Sequence, residues 1–191
     1  MKRLAFIFGI LALAVSQITA QTSTWVSDPA HSEISFSITH LTITNVHGRF
    51  GKVAATINYN EADVSKSTVT ATIDVGTVDT GETKRDSEVK SDKFFDLVKF
   101  PTATFTSTSV TKTNFGLSVA GNLTLHGVTK PVVLMVEGPA GPVQSMDHKT
   151  HEGFSAITTI SRSAFGIGTG FGPAMVGDDV KLTIDLDVIK Q

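Results

Sequence analysis

Six histidines (His31, His40, His47, His126, His148 and His151) are the side chains of this chain best suited to moving protons or ligating a metal. None of them stands in a spacing that a catalytic or metal motif requires. His148 and His151 sit beside Asp147 and Glu152 in a polar run, where a cation is imaginable, but the spacing matches no ligand motif, and the run reads as a surface loop without metal. Serine and threonine are plentiful on polar faces, yet no G-x-S-x-G elbow occurs. The run GIGTGFG (166–172) lacks the P-loop lysine and reads as a flexible connection, a candidate for lining a cavity mouth. There is no cysteine, which excludes thiol nucleophiles, thiolate metal sites and a lipoprotein anchor. The residues taken alone therefore offer no catalytic motif and no cofactor motif. Two polar residues are more informative. His40 ends the stripe Ile34, Phe36, Ile38, and Arg162 ends the stripe Phe154, Ala156, Ile160. Two donors beside an apolar interior suit a lipid-like ligand with a polar head. The same two residues would also suit strand ends capped in water, or pairing with a carboxylate such as Asp86 or Asp92.

These residues have to be positioned by strands, because alternation of period two dominates the sequence. Val53, Ala55, Ile57 and Tyr59 share one face, with Phe50 out of step and a bulge expected at Gly51. Val69, Ala71, Ile73 and Val75 share another, opposite a threonine-rich face. Leu117, Val119, Leu123 and Leu125 follow, with Gly121 in phase, where it relieves crowding or marks a bend. His126-Gly127 is a hairpin-turn signal, and 139–151 reads as a loop rich in Gly and Pro. Val132–Val136 is apolar on both faces and needs a cover, either the helical insertion or a second copy. Val180, Leu182, Ile184, Leu186 and Val188 form the last stripe.

One stretch differs. Residues 80–98 are charged and lack β-branched runs, which predicts a short helical insertion capped by Thr80 or Ser91. It ends in an apolar group of Phe94, Phe95, Leu97, Val98 and Phe100, and Pro101 excludes a helical conformation at Phe100. From Thr102 the chain alternates again, with Ala103 and Phe105 on one face. About eight strands joined by short connections leave a β-sandwich or a closed antiparallel barrel, and strand length with no cysteine pair favours the barrel. Eight strands enclose enough room for one small ligand.

The chain has 191 residues, 40% hydrophobic and 18% charged, as expected of one globular domain. Lys2 and Arg3, the apolar run Leu4–Val15 and the small residue Ala20 read as a cleaved signal peptide over residues 1–20, shorter than a membrane span. That segment holds two of the 16 basic residues and none of the 18 acidic ones, so its removal takes the net charge from −2 to −4. A mildly acidic surface argues against nucleic-acid partners and offers no polybasic membrane handle. The expectation is a soluble periplasmic or secreted domain from residue 21 onward.

Six blocks in order resemble the YceI family of exported bacterial polyisoprenoid-binding proteins: Asp28…His31-Ser32 with Phe36 and His40-Leu41; Gly48-Arg49-Phe50; RDSEVKSDKFFDLVKFPTATFTSTSV (85–110); GNLTLHGVTKPV (121–132); SRSAFGI (161–167); and VGDDVKLTIDL (176–186). The resemblance implies an eight-stranded, lipocalin-like antiparallel barrel whose long apolar tunnel holds a quinone tail or polyprenyl chain for transport or storage, with no catalytic residues. On that basis the tunnel would be lined by Phe36, Ile38, Val69, Ile73, Phe94, Phe95, Phe105, Val119, Phe154, Ile160 and Ile184. His40, Arg85 and Arg162 would meet the head group. The implied partner is an isoprenoid or similar amphiphilic lipid, bound by a monomer or homodimer that does not insert stably in membranes. A filled barrel serving in stress or adhesion, or a lipocalin-shaped enzyme acting on a bound lipid, are the competing readings.

Overall fold

A computed structural model describes residues 22–191, and the segment read as a signal peptide lies outside them. The strand segments are β1 (Thr22–Ser27), β2 (Glu33–His40), β3 (Thr44–Phe50), β4 (Val53–Asn60), β5 (Thr68–Asp74) and β6 (Val78–Asp79). After helix α1 (Thr83–Lys90) come β7 (Thr102–Thr113), β8 (Gly116–Leu125), β9 (Val128–Gln144), β10 (Thr150–Ser161) and β11 (Val176–Lys190). Alternation decides which way each faces. In β7, Ala103, Phe105 and Val110 are buried while Thr102, Thr104 and Thr106 are exposed. In β11, Thr183 and Asp185 are exposed between the less exposed Leu182, Ile184 and Leu186.

Every strand pair is antiparallel. The ring runs β1-β4-β5-β7-β8-β9-β10-β11 and returns to β1, a closed eight-stranded barrel. β1 closes it by pairing with β4 on one side (Trp25↔Ile57) and β11 on the other (Val26↔Ile189). The rest of β11 pairs with β2 (Ile184↔Ile34), which continues to β3 and β6. β1–β2, β3–β4 and β5–β6 thus act as three interrupted walls. Below Asp74 the last of these leaves β7, since β6 pairs only with β3. Helix α1 and the turns that follow it lie in this region.

Four expectations need correcting. Gly51 is not a bulge within one strand, because β3 ends at Phe50 and β4 begins at Val53, so the change of phase is a change of strand. The helix is shorter than residues 80–98: Glu82 caps it, accepting from the amides of Lys84 and Arg85, and Ser91 is its C-cap. Asp96 at φ 47° turns the following segment into successive tight turns instead of helix. The stretch 139–151 is mostly strand, because β9 runs to Gln144, and Gly138 and Gly141 at φ 120° and 124° accommodate the bend where the β9–β10 register shifts. The helix does not cover the outer face of β9, where Val133 and Met135 stay half exposed beside Ile157.

The core has two parts. Trp25, Ile57, Phe105, Val110, Leu117, Val119, Val136, Phe154, Ala156 and Val188 fill one end of the barrel. Gly121 belongs here because the Phe105 ring lies where its Cβ would stand. Ile34, Val53, Ile73, Val75, Ala103, Leu125, Ile160, Phe165 and Ile167 surround the other end.

Outside the filled end, the β9–β10 hairpin is tied to β11 through His151. Its Nδ1 lies 2.7 Å from Asp187 Oδ1, and its Nε2, which has no hydrogen-bond partner, lies 3.5 Å from Asp147 Oδ1. The hydrogen bond to Asp187 raises the imidazole pKa, burial opposes this, and Asp147 adds to the rise. The imidazolium is therefore the form that suits both carboxylates. Its stabilisation is fully present below the ordinary imidazole pKa of about 6.5 and is lost as pH rises through the higher folded value. Urea unfolding of wild type and His151→Gln should differ more at pH 5.5 than at pH 9; an equal difference at both would show that the imidazolium ties nothing.

Candidate functional site

The second end of the barrel is hollow. A cavity of about 390 Å³ opens there, within the roughly 300–1,000 Å³ range of small-molecule sites. Its walls come from β2 and β3 (Ile34, Phe36, Ile38, Val46, Phe50), from α1 and its following turns (Arg85, Glu88, Val89, Phe94, Phe95), and from β10 and β11 (Ile160, Val180, Leu182). Ile73, Ala103, Leu123 and Leu125 complete the wall from β5, β7 and β8. His40, Glu88 and Met175 line the cavity and are also exposed, which marks its mouth.

Much of the wall is aromatic. Phe36 and Phe50 approach to 5.6 Å between centroids, and Phe95 meets Phe50 edge-on at 5.9 Å. Phe36 lies across β3 because its partner there is Gly48, where any Cβ would strike the ring. Phe94 stacks on Phe171 of the glycine-rich connection at 5.1 Å. Phe100 is turned away and packs edge-on to His126, 4.6 Å between centroids, over Gly127.

Arg162 holds the connection 162–177 in place. It is 4% exposed. Its Nε donates to the Gly177 carbonyl, Nη1 to Ile167 and Gly168, and Nη2 to Phe171 and Val176, at 2.6–2.9 Å. All five donors are thus used by backbone carbonyls. Beside it, the Ser161 hydroxyl and the backbone N–H of Ser163 donate to the Asp178 carboxylate. The side-chain hydrogen bond from Ser161, then Ser163, holds the Asp178 pKa below the usual carboxylate range. Arg85 is positioned differently, with Nε and Nη2 donating to Thr80 Oγ1 and the Thr80 carbonyl, both at 2.9 Å. The Thr80 hydroxyl donates in turn to Asp86.

A family profile described as YceI-like domain matches residues 25–188. The YceI protein of Salmonella agona is 35% identical over 188 residues, covering 98% of this chain and 97% of that protein. The chain belongs to the YceI family. The crystal structure of the Campylobacter jejuni YceI protein superposes with a TM-score of 0.71 at 32% identity, covering 80% of this chain and 90% of the other. A polyisoprenoid binding domain from Saccharophagus degradans, implicated in plant cell wall breakdown, shares the fold alone, with a TM-score of 0.63 at 17% identity over 87% of this chain and 98% of the other.

The YceI landmarks divide between the two ends. Gly48-Arg49-Phe50, the 85–100 stretch and Ser161–Ile167 contribute to the hollow end, and Asp28…His31-Ser32 lies at the filled one. Of the residues expected in a tunnel, Phe36, Ile38, Ile73, Phe94, Phe95 and Ile160 line the cavity, as do His40, Arg85 and Arg162. Phe105, Val119 and Phe154 are in the filled core, Val69 packs against it, and Ile184 packs between the two parts. The cavity is therefore a half-length pocket. Phase along a strand identified inward residues correctly but not the end of the barrel they occupy. The glycine-rich run 166–172, a candidate for lining a cavity mouth, does contribute Ile167 and Phe171 to the lining. Phe50 and Met175 were not assigned to the site, and Phe50 is in phase with Val46 and Gly48 rather than with the strand after it.

Among the described residues, Asp28, His31 and Asp187 bring potential metal donors within 4.8 Å of one another. The group is already engaged: His31 Nδ1 pairs with Asp28 Oδ2 and Asp187 Oδ1 with His151, each at 2.7 Å. Asp28 Oδ1 accepts from the Ala30 amide. This turn also clasps β11, with Ser32 Oγ donating to the Asp187 carbonyl.

Arg162→Lys keeps the charge but cannot reach five carbonyls. It should destabilise the protein by roughly 2–4 kcal/mol in urea unfolding. A loss below about 0.5 kcal/mol would mean that the carbonyl cage contributes little.

Proposed function

We propose that this protein is an exported carrier whose half-barrel cavity holds part of an isoprenoid or similar lipid tail without transforming it. The observation that carries the reading is the cavity, whose lining is mostly aromatic and aliphatic with a few polar residues, His40, Thr80, Arg85, Glu88 and Arg162 among them. An apolar tail gains roughly 25 cal/mol for each Å² removed from water, and a preformed pocket reduces the entropy lost on ordering it. Phe36, Ile38, Ile73, Phe94, Phe95 and Ile160 would contact the tail. His40 and Arg85 would meet the head, whereas Arg162, with every donor on a carbonyl, would hold the wall. The Saccharophagus degradans domain is described as binding polyisoprenoids, and the shared fold is compatible with that cargo. Export to the periplasm rests on the sequence of residues 1–20.

Organic extraction of purified protein followed by mass spectrometry should recover an isoprenoid or similar lipid, and the emptied protein should take up a fluorescent polyprenyl probe. Ile38→Glu places a charge in the wall at a partly exposed position and should weaken uptake at least tenfold with the melting temperature nearly unchanged. Unchanged uptake in a folded Ile38→Glu variant would remove the cavity from the binding site.

A further inference from the structure

The β2–β3 turn displays apolar side chains beside the cavity mouth. Leu41 is 47% exposed and Ile43 81%, and Met175, which is 49% exposed, itself lines the cavity. The Leu41 amide donates to the Met175 carbonyl at 3.0 Å, which fixes the turn to the connection that Arg162 holds. The preceding residue, His40, also lines the mouth. Isolated exposed apolar residues are ordinary on a protein surface. Here three are grouped around one opening, and the backbone is strained to present them. Leu41 and Thr42 have φ of 51° and 60°, a left-handed conformation that Gly or Asn would adopt more cheaply.

We propose that this rim is a docking surface for a lipid bilayer, through which the cavity exchanges its cargo. The inference rests on the carrier reading. A tail moving from a membrane to the cavity has to avoid water, and an apolar rim that shares Met175 with the cavity lining shortens that path. Three side chains are too small a patch for a stable protein partner, which needs about 800 Å² from each side. They suit shallow, reversible insertion at a bilayer surface. Charges of both signs at the mouth, Arg85 and Glu88, provide no basic cluster for anionic headgroups. Docking is therefore apolar and occurs on neutral membranes.

The test uses the untagged mature protein, neutral phosphatidylcholine vesicles and a fluorescent polyprenyl probe. Wild type should float with the vesicles and take the probe from them. Leu41→Asp/Ile43→Asp should lose flotation and slow transfer at least tenfold, while taking up the same probe from detergent as well as wild type does. Ile43→Asp alone, at the most exposed position, provides a variant whose folding is not at stake. Detergent uptake by wild type with transfer unaffected by either variant overturns the docking but leaves the carrier reading standing. Failure of wild type to bind the probe from detergent overturns the carrier reading, and the docking with it. Self-association in wild type that the variants abolish, without vesicle binding, assigns the rim to a second copy instead.

Discussion

The hollow end of this barrel depends on one buried cation. A guanidinium removed from water must have its donors satisfied, and Arg162 finds five backbone carbonyls on a single connection. That requirement wraps residues 167–177 around one point. It thereby sets Phe171 against Phe94 and brings Met175 to the mouth. Without it, a glycine-rich segment would have little reason to hold one shape, since glycine loses the most conformational freedom on folding. Arg162, which itself lines the cavity, thus also shapes its wall.

The second determinant is how the barrel is filled. Large inward side chains, Trp25, Phe105 and Phe154 among them, pack together at the end where β1 closes the ring. At the other end the strands separate, β6 does not pair with β7, and helix α1 with the turns after it stands in the wall. Side chains that line a wall between separating elements leave space between them, and these are aromatic and aliphatic, so the space is apolar. Interruption of three strands and the presence of a cavity are two aspects of the same geometry.

Much of this was legible in the sequence. Strand phase is a local property, so Thr102–Phe105 and Val180–Val188 show their inward faces without any knowledge of partners. The helical insertion and the family landmarks were equally visible. What the sequence could not convey was register between distant strands. Phe36 and Phe105 carry the same inward signal, yet one pairs with Gly48 beside a void and the other covers Gly121 in a packed core. Arg162 was read correctly as inward-facing, but its partners lie 5–15 residues downstream on backbone atoms, which no side-chain pattern encodes. The prolines at 139 and 142 signalled a loop, whereas bulged strand accommodates them with their preceding glycines at positive φ. Local punctuation rules fail where a long strand bends.

A half-length pocket has a consequence for what a carrier of this shape does. Affinity for an apolar tail grows with the area it buries. In the proposed carrier, the filled end would therefore limit affinity for a long tail, since only the part within the cavity would be removed from water. Discrimination along the tail is weak for the same reason, since one methylene more or less changes apolar contact only slightly. In the proposed carrier, selectivity would fall to the few polar groups of the lining, among them Arg85, whose geometry is fixed by Thr80 and Asp86. A site that binds tails with bounded strength and reads only the head is suited to release as well as capture, which transfer requires and permanent storage does not.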